Sequence, residues 1–102
     1  MNDDFWDFER ERPMSDFGEM YEGYYFDRNG VRTVGFATIK PEYRGKGHFK
    51  ALSGEKLKEG VKAVIIISPS LPSLELLLSQ GYEYLPDLHV CVWQRPAWTV
   101  AG

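Results

Sequence analysis

An α+β domain, a mixed sheet with flanking helices, is the architecture this sequence predicts, and three features predict it. Asn29-Gly30 separates two runs rich in strand-forming residues. A wholly apolar run, Val64-Ile65-Ile66-Ile67, follows a helix-like stretch. A second helix-like stretch then leads into a last pair of strand-like runs. Amphipathic segments alternating with short strands must bury their apolar faces against one another, which gives layers of sheet and helix. With 102 residues there is room for one small domain, and 43% hydrophobic and 15% aromatic residues are enough to fill its core.

In chain order, Phe5, Trp6 and Phe8 follow a capping Asp3 or Asp4 and predict a short helix that Pro13 stops. Tyr21–Asp27 and Val31–Lys40 predict two strands, joined through Arg28-Asn29-Gly30 because Asn-Gly tolerates the positive φ of a tight hairpin. Pro41 closes the second strand. From His48 to Glu59, Phe49, Leu52 and Leu57 fall at helix-like intervals, with Gly60 as the C-cap. Val61–Ser68 reads as a strand buried on both faces, since its centre is continuously apolar. Pro72 suits the first turn of a helix through Leu74, Leu76, Leu77 and Leu78, ended by Gly81. Tyr82–Leu85 and Leu88–Gln94 form a second hairpin around Pro86-Asp87, and Trp98 is a docking residue in an otherwise loose tail. The predicted organisation is an acidic arm over 1–20, a domain over 21–95 and a tail over 96–102.

The charge distribution excludes several classes of function. Twelve Lys and Arg against fifteen Asp and Glu give a formal −3, which disfavours a nucleic-acid binder. A single cysteine, Cys91, excludes an internal disulfide framework. The aliphatic run Ala63–Ile67 is too short to cross a bilayer, and the acidic Met1-Asn2-Asp3-Asp4 is unlike a signal peptide. A cytoplasmic domain without a membrane partner is expected. Residues 1–23 hold eight acids and two bases, whereas Lys40 to Lys62 holds seven bases and three acids. The arm therefore either packs on the basic segment or faces a basic protein partner.

Chemistry concentrates in Ile39-Lys40-Pro41-Glu42-Tyr43-Arg44-Gly45-Lys46-Gly47-His48-Phe49-Lys50. A strand ends, a basic glycine loop follows and a helix begins. Glycines let successive N–H groups turn toward one point, and the helix start adds partial positive charge, which suits a phosphate. An ordinary exposed turn has the same composition. His48 is placed to touch such a phosphate or to stand in solvent. His89 and Cys91 lie two apart and read as packing residues; two ligands do not make a zinc site, and no metal is expected.

Pro41 to Gly47 resembles the acetyl-CoA loop of the GNAT superfamily of N-acetyltransferases. That pattern is Arg or Gln, two residues, Gly, one residue, then Gly or Ala, which Arg44 and Gly47 match. Leu74 to Tyr84 is similar to the family's later helix, ended by a glycine and an aromatic. The resemblance spans roughly 21–95. It implies acetyl-CoA as cofactor, held by Ile39, Arg44, Gly45, Lys46, Gly47, His48 and Phe49, with pantetheine running between the strands Val31–Lys40 and Val61–Ser68. It also implies acetyl transfer to a small amine or a protein amine; the acidic arm favours a cationic one. Three departures stand out: Phe49 occupies the final small position, Leu77 occupies the place of the usual acid Tyr, and the front of the fold is reduced to an acid-rich segment of about twenty residues. Glu42, Tyr24, Tyr25 and Glu22 are the candidate bases, and the sequence does not choose among them. The second reading is a catalytically degenerate member acting as a binding or structural component. Its shortness is similar to small phage-encoded members, which would place it in a virion.

Overall fold

The computed structural model describes residues 10–96. The expected helix around Phe5, Trp6 and Phe8 and the docking of Trp98 lie outside the described residues. Within them, six strands form one mixed sheet in the order β1-β2-β3-β4-β6-β5. The strands are β1 (Arg12–Pro13), β2 (Tyr21–Arg28), β3 (Val31–Ile39), β4 (Ala63–Ile67), β5 (Glu83–Leu85) and β6 (Val90–Gln94). Only β3 and β4 run parallel; the other pairs are antiparallel. Helix α1 (His48–Gly54) makes the crossover between them, and α2 (Leu71–Ser79) joins β4 to β5. The predicted α+β architecture with a mixed sheet is the one observed.

The first hairpin forms as its turn residues dictate. Asn29 and Gly30 have φ of 53° and 81°, and Arg28 pairs directly with Val31. Ser70 caps α2 by accepting from the Ser73 N–H at 3.3 Å, Pro72 sits in its first turn, and Gly81 leaves it at φ 95°. A segment read as part of the acidic arm also packs on the sheet: Met14, in a 3-10 turn over Met14–Phe17, is fully buried.

Several expectations are corrected. The helix expected from His48 to Glu59 ends at Gly54, followed by a separate 3-10 turn over Lys56–Lys58. Glu55 departs from helical geometry, at φ −132° and ψ −57°, and a Cβ on Gly54 would lie 2.9 Å from the Gln80 amide. Strand β4 is shorter than Val61–Ser68, because Ser68 turns into the left-handed region at φ 51°. It is buried on one face only: Val64 and Ile66 are buried, while Ile67 is 42% exposed. The reason is layering. Leu52, Leu57 and Leu77 from the helical segments share one core with Tyr25, Val34, Val64, Ile66 and Cys91, residues the strand registers place on one side of the sheet. His89 is not on a strand beside Cys91. It lies in the turn before β6 at φ 55°, exposed, with Nδ1 2.8 Å from the Tyr84 hydroxyl.

One charge is buried in this core layer. Arg32 donates from Nε and Nη2 to the two Asp27 carboxylate oxygens, both at 2.9 Å, and from Nη1 to the Leu57 carbonyl at 3.1 Å. Its guanidinium also lies over the Phe17 ring, 5.0 Å from the centroid. Asp27→Ala would leave this charge unpaired, and the expected cost is about 3 kcal/mol in urea denaturation. Adding Arg32→Met should restore most of that loss; an equally unstable double variant would contradict the assignment.

Candidate functional site: a loop and a cleft between parallel strands

The glycine loop leaves β3 at Ile39. Lys40 is fixed by its N–H to the Met20 carbonyl at 2.9 Å, and Pro41–Tyr43 makes one 3-10 turn. Gly45 and Gly47 then adopt φ of 80° and 78°, a conformation that costs glycine nothing and other residues a good deal. Neither has a heavy atom within 4 Å of where a Cβ would stand. The N–H groups of Gly47 through Lys50 have no backbone carbonyl partner among the described residues; the series resumes with Ala51 bonded to Gly47 at 3.1 Å. These are the orphan donors of a helix start. Arg44, Lys46 and Lys50 are exposed around them.

Neighbours hold this loop in place. Tyr43 donates to Glu19 at 2.7 Å, and Tyr21 donates to the His48 carbonyl at 2.9 Å. The His48 ring stands edge-on to Tyr21 and Tyr43, with centroids 6.3 and 6.0 Å away. Arg44 Nε donates to the Ile39 carbonyl at 2.9 Å, so this contact uses the strand-end carbonyl. Beside the loop, an open depression of about 340 Å³ runs between Gly47, just before α1, with Lys50 and Gly54 on α1, and Gln80 after α2. Gln80 spans the two helices by accepting from Ser53 at 2.6 Å and donating to the Lys50 carbonyl at 3.0 Å.

The second feature is a cleft in the sheet. The parallel pairing of β3 with β4 runs from Val31↔Ala63 to Val34↔Ile66 and stops there, although β3 continues to Ile39 on β2. Beyond Val34, the edge of β3 that faced β4 has no strand partner among the described residues. The cause is local: the register of β2 with β3 shifts between Tyr24 and Tyr25, while Ser68 turns β4 away. A cleft of about 200 Å³ opens between the diverging strands. Val34, Phe49, Leu57, Ile66 and Leu77 line it from the helix side, and Ser68, Ser70 and Ser73 supply its polar side chains. Among the described residues, none that lines it is charged.

The residues singled out in sequence divide between the two features. Arg44, Gly45, Lys46 and Gly47 lie together on the exposed loop, His48 is half-buried behind it, and Ile39 is tied to Arg44. Phe49 does not crowd the loop. Its half-buried ring packs on the core and lines the cleft. Leu77 is fully buried at the cleft wall. Among the candidate bases, Tyr25 is buried, donates to Asp16 at 2.9 Å, and has its pKa raised, first by burial. Glu22 and Glu42 are exposed, and Tyr24 lies over Gly35. Cys91 is fully buried, and burial pushes its thiol pKa up, which suits packing and not nucleophilic work.

Sequence reading missed Gly35 and Phe36. The signal was present, because a glycine inside a strand marks a bulge or a close approach. At Gly35 a Cβ would fall 2.3 Å from the Tyr24 ring. Among the described residues, no group of three or more His, Cys, Asp or Glu is placed to hold a metal ion, and no helix is long and apolar enough to cross a membrane.

No protein-family model and no curated protein matches the chain. Among solved structures, a Bacillus subtilis acetyltransferase in complex with CoA is similar over 83% of this chain and 72% of its own, at 22% identity and a TM-score of 0.46. A likeness at that level decides neither the activity nor the ligand of this chain.

Proposed function

We propose that the chain binds an acyl-CoA thioester, with acetyl-CoA as the expected form, and transfers its acyl group to an amine. The observation that carries this reading is the cleft where β3 and β4 part beside a basic loop of left-handed glycines. An unpaired strand edge offers N–H and C=O groups at fixed spacing, which suits the two amides of a pantetheine arm. The N–H groups from Gly47 to Lys50, with the exposed Arg44, Lys46 and Lys50, suit the pyrophosphate at its other end. Phe49 lies where the two meet.

The chemistry asks little more of the side chains. The neutral amine attacks the thioester carbonyl carbon, and an N–H on the free edge of β3 stabilises the oxygen as it gains charge. The C–N bond forms and the C–S bond breaks. One amine proton passes to water and coenzyme A leaves as its thiolate. A thiol pKa near 8.5 makes that leaving group stable without a strong acid, so Leu77 in place of a tyrosine does not block transfer. Ser73, which accepts from the Ser70 hydroxyl at 2.8 Å and lines the cleft, is the side chain we assign to hydrogen-bond the departing sulfur.

Release of free thiol from acetyl-CoA, followed with a thiol reagent, tests the transfer step. Thiol release that depends on added amine is expected. Binding without release under any amine would leave a coenzyme-binding protein and overturn the transfer half of the proposal.

A further inference from the structure

Given the acyl-transfer reading, on which this rests, we infer that the acceptor is an apolar primary amine, aromatic or alkyl, entering the cleft from the face of the sheet opposite the helices. The cleft passes through the sheet. Side chains alternate between faces along a strand, and the β2–β3 register shift at Gly35 breaks that alternation, so that Phe36 shares the face of Tyr24 and not that of Val34. The cleft lining thus takes Val34 and Ile66 from the helix side but Phe36 and Ile67 from the other. It therefore has two mouths. The glycine loop and both helices stand at one of them. Phe36, 54% exposed, and Ile67, 42% exposed, border the other.

Tyr24 extends this second mouth. It pairs with Phe36 across the β2–β3 ladder, and its ring fills the space a side chain at Gly35 would need. The ring is also edge-on to Phe26, 5.8 Å between centroids. Single exposed apolar residues are ordinary, but aromatics gathered at the mouth of an uncharged cleft form a ligand-sized apolar surface. Charge is the discriminating feature. A polycation needs several carboxylates, yet among the described residues the cleft lining has none, and on this face β2 presents one acid, Glu22, opposite Thr38. An uncharged wall also disfavours the ammonium form, so an amine that enters is held as the neutral nucleophile the reaction needs. This differs from the cationic acceptor expected from the acidic arm.

The test pairs two measurements on the full chain: the Kd of acetyl-CoA by calorimetry, and kcat/KM for 2-phenylethylamine, hexylamine and spermidine by thiol release. Preference for the two apolar amines by about tenfold or more is expected. Tyr24→Ala and Phe36→Ala should each lower kcat/KM for 2-phenylethylamine by about tenfold, Phe36→Leu by less, and Tyr24→Ala should leave the Kd of acetyl-CoA unchanged. Both positions are exposed, and unchanged melting temperatures would show that the variants fold. Intact acetyl-CoA binding with spermidine preferred, or with no response to either alanine variant, would overturn the acceptor assignment and leave the transfer reading standing. Loss of acetyl-CoA binding in the parent protein would overturn both.

Discussion

Gly47→Val is expected to weaken acetyl-CoA binding by at least about 100-fold while the domain stays folded. At φ 78° a β-branched residue is a genuine outlier, so the loop must rotate Gly47 toward negative φ. That rotation redirects the N–H groups on either side, the donors assigned to the pyrophosphate. Losing two or three charge-assisted hydrogen bonds, each worth about 1.5–3 kcal/mol, accounts for the expected factor. The rest of the molecule tolerates the change because nothing lies within 4 Å of the missing Cβ. Gly60→Val is the control. Gly60 has a φ of 76° in equally open space, but stands in the chain before β4 and away from the loop. Both variants should melt lower by similar amounts, and only Gly47→Val should lose the ligand. Equal binding by the Gly47 variant would remove the loop from the site.

Gly23→Ala is expected to have the largest effect on stability, about 3–5 kcal/mol. Gly23 has φ 126°, and a Cβ there would lie 2.0 Å from the Phe36 carbonyl oxygen and 2.6 Å from its carbon. Backbone strain of this kind costs about 1–3 kcal/mol, and forcing the strand pair apart adds about 1–3 kcal/mol. A small domain with about 5–10 kcal/mol in total would be left marginal. Because Gly23 sits opposite Ala37 just before the β2–β3 register shifts, the residue that permits this close pairing also shapes the strand bordering the cleft. Urea denaturation checks the value. A cost no larger than the roughly 1 kcal/mol expected for Gly60→Ala would contradict the close approach of β2 and β3.

The comparison between sequence and structure follows the range over which each feature is determined. Asn29-Gly30 specifies its own turn, and Pro72 with Gly81 bounds a helix whose apolar residues lie on the chain between them. Those elements were legible because their causes are local. The overlong first helix was misread because its end at Gly54 depends on Gln80, some twenty-six positions later, which fills the space over that glycine. The apolar run in β4 predicted two buried faces. Its composition cannot report that the described helices cover one face, which is why Ile67 is free to border a cleft. The loop residues Arg44 to Phe49 stand out in the sequence by their types and spacing. A ligand path between Val31–Lys40 and Val61–Ser68 is implied by the family resemblance alone; the residues themselves do not report the cleft, since it exists only where two strands far apart in sequence stop pairing, beyond Val34 and Ile66.

Calorimetric titration of the purified protein with acetyl-CoA tests the central claim most directly. A cleft meeting a preorganised glycine loop predicts saturable one-to-one binding in the micromolar range, weakened by added free coenzyme A as a competitor. Absence of heat at millimolar acetyl-CoA, with no change in melting temperature, would contradict the assignment of this cleft and loop to an acyl-CoA ligand.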